Sequence, residues 1–349
     1  MTTSRPGRPR LPTLEDVARS AGVSRATVSR VVNGTRNVDP EIQKVVQEAV
    51  AQTGYVPNRA ARTLVTRRTD SVALVFSVPE HPADDPFMAR VFSDAFFGRI
   101  VGGLLTVLRP RGVHPVLMLA DSDDVRRELV DNLRQQHIDG VVLVSIAPED
   151  PLPLLLTEAG LPTVLFARPT TRVPISFVDI AQQAGVKLAV EHLVSLGRTR
   201  IATIAGPYDS PAGRDRLAGF RDAMAEHGHP YAPDIEGDFT QEGGEAAMRA
   251  LLSEHPDTDG VFVANDLMAQ GALLALRELG RRVPEDIAVV GFDDSSAATA
   301  SRPLLTTVRQ PVEDMAAEMA RLLLALIDDP AQQLRSVIFK TTLVRRHSA

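Results

Sequence analysis

Residues 13–34 read TLEDVARSAGVSRATVSRVVNG, and this run decides the architecture of the first part of the chain. Thr13 and Asp16 stand at capping-box spacing, which starts a helix at Leu14. Val17 and Ala18 give that helix an apolar side, and Gly22 permits a sharp turn at its end. Ser24 then caps a second helix carrying Ala26, Thr27, Val28, Val31 and Val32, and Asn33-Gly34 stops it. Two short helices around a glycine turn form either an ordinary helical hairpin or a helix-turn-helix, whose second helix enters the DNA major groove. The residues on either side favour DNA.

Residues 35–58, TRNVDPEIQKVVQEAVAQTGYVPN, supply a third helix. Asp39-Pro40-Glu41 combines a capping carboxylate, a proline at the first helical position and an acid in the first turn. Ile42, Val45, Val46 and Ala49 form an apolar stripe that covers the first two helices, and Thr53-Gly54 ends it. Charge agrees. Residues 1–68 hold 12 Lys and Arg against 5 Asp and Glu, whereas the remainder holds 26 against 39. A basic head on an acidic body fits a nucleic-acid module joined to something that does not touch DNA.

In this geometry the opening residues of the second helix reach base edges. Arg25 and Ala26 stand there, with Ser29 and Arg30 one turn on. Arg25 can bond a guanine bidentately and Ala26 can pack on a thymine methyl. Ser24, Thr27 and Asn33 suit phosphates, and Arg30 suits a phosphate or a base equally. Thr13 joins this DNA-facing set. Residues 57–64, PNRAARTL, predict a short helix with a small-residue face, too short to stay helical alone in water. It orders when two copies pair or lie on DNA, with Asn58, Arg59 and Ala61 toward the duplex. Leu64 then becomes an apolar wedge for the minor groove. The other reading of this segment is a plain linker with one exposed leucine.

The run from Thr13 to Leu64 resembles the DNA-binding head and hinge of the lactose/galactose-repressor family, in the pattern DVA...AGVS..TVSRV.N followed by GY.PN.AAR.L. That resemblance implies a homodimer, a near-palindromic double-stranded operator, and paired hinge helices with Leu64 as the wedge. Arg25 and Ala26 fall on the family's variable base-reading pair, so no operator sequence follows.

From Ser71 onward, strands and helices alternate. Apolar runs SVALVFSV, PVLMLA, GVVLVSI and PTVLFA are separated by helical stretches such as 97–109 and 123–136. A second series has RIATIAG, a helix from about 214, GVFVAND, a helix over 267–279, and DIAVVGFDD. Strands so spaced predict parallel sheets covered on both faces, in two lobes with a cleft between them. Ligands of open α/β sheets bind beyond the carboxyl ends of the strands. Asn265-Asp266, Asp293-Asp294, Arg214 and Arg216 gather there, a set suited to hydroxyl-rich ligands that donate and accept at once. Asp293 equally suits a turn and Asp266 a helix cap. On one helix Arg214 and Arg216 stand about 200° apart, so only one faces the cleft, and we choose Arg216.

The body resembles the same family's effector domain, itself similar to periplasmic sugar-binding proteins. This implies effector contacts from Arg216 in GPYDSPAGRDRLAGF, Asn265 in VANDLMA and Asp293 in VVGFDD. It also implies a ligand-stacking aromatic at Phe239 and a first-lobe aromatic position at Phe96 and Phe97. Residues 79–92, PEHPADDPFMARVF, are longer and more acidic than the family's pattern, which puts the first-lobe contacts in doubt. The end, LVRRHSA, carries no leucine heptad, so the tetramerising helix of some members is not expected.

The expected organisation is therefore a three-helix helix-turn-helix domain over 1–56, a hinge helix and linker over 57–68, and an effector-binding and dimerisation domain over 69–349. The expected function is a ligand-controlled transcriptional regulator, a repressor whose operator binding responds to a sugar. GYVPNRAARTLVTRRTD resembles regulators of cellulose utilisation, which implies cellobiose or another β-glucoside. A purine or nucleoside is the alternative effector. A sugar-transport protein would need a secretion signal and no DNA head, and the polar start MTTSRPGRPR lacks an apolar signal core. With no cysteine and no run of about 18 apolar residues, a cytoplasmic protein free of disulfides and membrane spans is expected. No GxSxG, Walker loop, post-strand GxGxxG or HExxH is present, and His227 and His229 sit by Gly228 and Pro230 in a turn. Neither catalysis, a metal nor a cofactor is expected.

Overall fold

A computed structural model describes residues 12–32, 38–55, 68–80, 95–135, 138–146 and 149–349. Asn33, Asn58, Arg59, Ala61, Leu64, the whole 57–64 segment and residues 81–92 of the acidic stretch lie outside the described residues. The chain forms two compact units, residues 1–69 and 70–349.

The first unit holds α1 (Leu14–Ala21), α2 (Arg25–Val32) and α3 (Pro40–Thr53). The expected capping box is formed: the Thr13 N–H donates to Asp16 at 2.9 Å while the Thr13 hydroxyl accepts from the Asp16 N–H at 3.4 Å. Gly22 and Gly54 take the left-handed conformation that ends α1 and α3. Ser24 caps α2 through the Thr27 N–H, and Asp39 caps α3 through the Glu41 N–H. Each helix gives the shared core a fully buried valine, Val17, Val28 and Val46, with Ala49 beside them. At about 1.5–3 kcal/mol per buried side chain, these few contacts dominate what holds so small a unit together.

The second unit contains two six-stranded sheets. The first comprises β1 (Ser71–Ser77), β2 (His114–Ala120), β3 (Gly140–Ser145), β4 (Thr163–Phe166), β5 (Ser176–Ile180) and a late strand, β11 (Ser336–Phe339). Its order is β11-β5-β4-β3-β1-β2, all parallel. Helices α4 (Ala95–Leu108), α5 (Asp123–Gln135) and α6 (Leu152–Glu158) connect its strands. After α7 (Gln182–Ser195) comes the second sheet: β6 (Ile201–Ala205), β7 (Asp234–Glu236), β8 (Gly260–Val263), β9 (Ala288–Asp293), β10 (Thr306–Arg309) and β12 (Thr342–Val344). Its order is β12-β10-β9-β8-β6-β7, and β12 alone runs antiparallel. Helices α8 (Pro211–Glu226), α9 (Gln241–Glu254), α10 (Asp266–Glu278) and α11 (Ser296–Ala300) accompany it, and α12 (Val312–Asp328) returns the chain to the first sheet. Strands such as β1 and β8 are apolar without alternation because both faces of the sheet are covered.

The chain thus crosses between sheets three times: at Ala181, at Gln310-Pro311 and at Lys340-Thr341. Two contiguous strand series do not describe the lobes, since each is completed by a strand from the end of the chain. The expected helix from about 214 starts at Pro211, because Ser210 caps it through the Gly213 N–H at 3.0 Å. Apolar packing runs without a break from Val72, Leu74 and Phe76 through Val186 and Val190 of α7 to Phe262, Val290 and Phe292.

Candidate functional site

The carboxyl ends of β8 and β9 carry the residues singled out in the second lobe. Past β8, Asn265 caps α10: its side-chain oxygen accepts from the Met268 N–H at 2.9 Å and its amide donates to the Phe239 carbonyl at 3.0 Å. The cap is therefore Asn265 and not Asp266. Phe239 has a left-handed backbone, φ 64°, and its ring lies over Gly206, where a Cβ would come within 2.2 Å of it. The half-buried ring stays partly open.

Arg216 is the organising side chain. Gly219, one turn on in α8, would place a Cβ 2.7 Å from the Gln183 backbone, so α8 and α7 touch closely there. That contact brings the Arg216 guanidinium to Gln182, to whose side-chain oxygen Nε donates at 3.0 Å. Nη1 donates to the Ala264 carbonyl at 2.5 Å and Nη2 to the Gln310 side chain at 3.2 Å. Asp293 lies 3.5 Å from Nη2, and the Phe292 ring lies under the guanidinium with its centroid at 3.8 Å. Arg216 is buried and Arg214 exposed, as their opposed positions on one helix require.

Burial governs the electrostatics. It pulls the Arg216 guanidinium down, with Asp293 opposing that most strongly. Asp266 is fully buried, accepting from the Thr307 hydroxyl and the Ser295 N–H, both at 2.6 Å. Burial, then the charge of Asp293, pushes its carboxyl up to about 8. Burial likewise raises Asp179 at the end of β5, which takes the N–H groups of Ile180 and Arg168. Burial thus raises two of the carboxyls around Arg216 above the ordinary carboxylate range.

On the first-lobe side, Phe97 packs into the core edge-on to Phe76 at 4.8 Å. Phe96, half-buried, meets Phe166 and Phe97 edge-on. At the ends of β1 and β3, the buried Arg126 donates to Ser77 and to the Val78 carbonyl and faces Asp150 at 3.6 Å. Gln182, Gln310, Asp179 and Arg99 belong to this region and were not anticipated. The two glutamines sit at sheet crossings, which no local pattern announced. In the first unit, Ser24, Arg25, Ala26 and Arg30 are exposed on α2, while Thr13, Thr27 and Ser29 are half-buried. Arg25 pairs with Glu15 of α1 at 3.0 Å, both side chains exposed.

No helix among the described residues is long and apolar enough to cross a membrane. Residues 13–58 match the lacI family of bacterial regulatory proteins, and residues 190–349 a periplasmic binding protein-like domain. The chain is 46% identical over 345 residues to the HTH-type transcriptional regulator CelR of Thermobifida fusca, covering 98% of this chain and 99% of that one. It is similar to the solved transcriptional regulator CelR–cellobiose complex, with TM-score 0.75 and 44% identity over 97% of this chain and all of that one. It is also similar to the lac repressor dimer bound to operator and the anti-inducer ONPF, with TM-score 0.81 and 29% identity over 97% and 99% of the two chains. This chain belongs to the lacI family of bacterial regulatory proteins.

Proposed function

We propose that this protein is a cytoplasmic repressor of carbohydrate-utilisation genes, not an enzyme, and that it leaves its operator when a neutral sugar fills the cleft. We assign cellobiose or another β-glucoside as that sugar. The observation that carries this reading is the polar set around Arg216, with a half-open aromatic at Phe239 and a carboxyl at Asp266 that resists ionisation. Cellobiose, bound by a relative of such similarity, supports the choice within that class. Phe96, Phe239, Asn265, Asp293 and Arg216 form the effector set. Phe97, Arg214 and Asp266 stand behind or beside it.

In the organisation we propose, 1–56 reads DNA, 57–68 is the hinge and 69–349 binds effector and pairs with a second copy. Arg25, Ala26, Ser29 and Arg30 face the bases of a near-palindromic duplex; Ser24, Thr27 and Asn33 hold phosphates, and Thr13 joins this DNA-facing set. Asn58, Arg59, Ala61 and Leu64 engage the minor groove. Leu105 of α4 and Val116 and Leu117 of the edge strand β2 are exposed apolar residues suited to the second copy. The test is a thermal-shift series with cellobiose, glucose, ribose and hypoxanthine, followed by operator gel shifts. Cellobiose is expected to raise the melting temperature by mass action and to release the operator. Stabilisation by hypoxanthine alone would replace the sugar reading with the purine one.

A further inference from the structure

We propose that Arg99 is the positioning residue that couples the effector site of the second lobe to helix α4 of the first. The inference rests on reading Arg216 and Asp293 as effector-binding groups. Arg99 donates from Nε and Nη2 to the two carboxylate oxygens of Glu313, at 2.7 and 2.8 Å. The same guanidinium reaches the second sheet. Nη1 donates to the Asp293 carbonyl at 3.1 Å and Nη2 to the Gln310 carbonyl at 3.0 Å. Asp293 and Gln310 are also the residues whose side chains hold Arg216, at 3.5 and 3.2 Å. Two guanidiniums therefore grip the same two residues, Arg216 by their side chains and Arg99 by their main chain.

This link is stiff at both ends. On the first-lobe side, Gly103 of α4 would place a Cβ 2.3 Å from the Glu313 carbonyl, so α4 and α12 meet with no side chain between them. The forked, charge-assisted pair with Glu313 fixes the plane of the guanidinium. On the second-lobe side, Asp293 and Asp294 both have positive φ, 111° and 53°, a conformation that must be held in place. Arg309 at 2.7 Å and Arg346 at 2.5 Å hold it by bonding the Asp294 carboxylate. A ligand hydroxyl that takes a hydrogen bond from Arg216, or donates one to Asp293, alters the pull on this corner. Arg99 passes the change to α4. A lysine could not replace it, since a single ammonium cannot span a carboxylate and two carbonyls in one plane.

The experiment is amide hydrogen exchange on the full chain without ligand. Arg216→Lys is expected to speed exchange in α4 about fivefold or more, and to have no further effect in an Arg99→Gln background. A second variant separates coupling from simple loss of an ion pair. Arg99→Glu with Glu313→Arg rebuilds the pair between α4 and α12 but removes the guanidinium hydrogen bonds from the Asp293 and Gln310 carbonyls. It is expected to behave as Arg99→Gln. An equal response of α4 to Arg216→Lys with and without Arg99 would overturn the proposal, and so would a wild-type response in the swapped pair. Titration with cellobiose keeps the two readings apart: if the wild type does not bind it, the sugar assignment fails while the exchange result still decides the role of Arg99.

Discussion

Replacing Asp266 by asparagine tests whether the floor of the site is neutral. Asp266 is fully buried, bonded to Thr307 and Ser295, and pushed from its ordinary 3.8 to about 8 by burial and the neighbouring Asp293. Asparagine keeps the shape: its oxygen can accept from the Ser295 N–H, and its amide can donate to the Thr307 hydroxyl, which is free to rotate. Between pH 4 and pH 8 the folded wild type holds a proton that the unfolded chain has lost. Its stability therefore falls as pH rises through that window, by ~1.4 kcal/mol per pH step. From pH 5 to pH 8 this amounts to ~4 kcal/mol, a large part of the ~5–15 kcal/mol that holds a typical domain folded. Asparagine has no such dependence, so its advantage over the wild type should grow by that amount. At ~2–4 °C per kcal/mol the melting temperatures should separate by about 8 °C or more over the interval. Far-ultraviolet circular dichroism of both proteins at four pH values measures it, and taking the difference cancels the titrating groups that do not face Asp266. A separation that stays constant from pH 5 to pH 8 would mean that Asp266 is ionised throughout, and that burial does not control this carboxyl.

Asp39→Ala removes the bond to the Glu41 N–H and should cost the first unit ~1 kcal/mol, read as faster hydrogen exchange in α3 with the second unit unchanged. His192 lies buried on α7, and burial pulls its imidazole below 6.5. Its folded pKa is thus lower than its unfolded one, so stability holds above pH 6.5 and drains away as pH falls below it. Melting curves of His192→Gln should converge on, then overtake, the wild type between pH 7 and pH 5; parallel curves would exclude the histidine.

The head was legible because its information is local. Thr13, Gly22, Asp39, Pro40 and Gly54 each act within four residues, and the structure uses every one as a cap or turn. The alternating body was legible from strands buried on both faces, which read as unbroken apolar runs. Arg216 could be chosen over Arg214 from helical spacing alone. Gln182, Gln310 and Arg99 could not be read at all. Gln182 meets Arg216 across 34 positions and Gln310 across 94, while Arg99 reaches Glu313 across 214. Such contacts depend on where the chain changes sheets, and one- or two-residue crossings between strand and helix leave no periodic mark.

A ligand bound at those crossings, as proposed above, would act on both lobes of the second unit. Arg216 holds Gln182 beside the first crossing and Gln310 at the second. Arg99 holds the second from the other lobe. Driving a two-state equilibrium from 1:99 to 99:1 needs ~5.5 kcal/mol of difference in binding between the states. A hydrogen bond to a charged group contributes ~1.5–3 kcal/mol, so two or three such bonds made in only one lobe arrangement are sufficient. In the effector reading proposed above, Arg216 and Asp293 would supply such bonds: Asp293 lies at a positive-φ corner, and Arg216, from within α8, bonds residues at two crossings. A sugar that touched only Phe239 would gain affinity in both arrangements alike and would shift nothing.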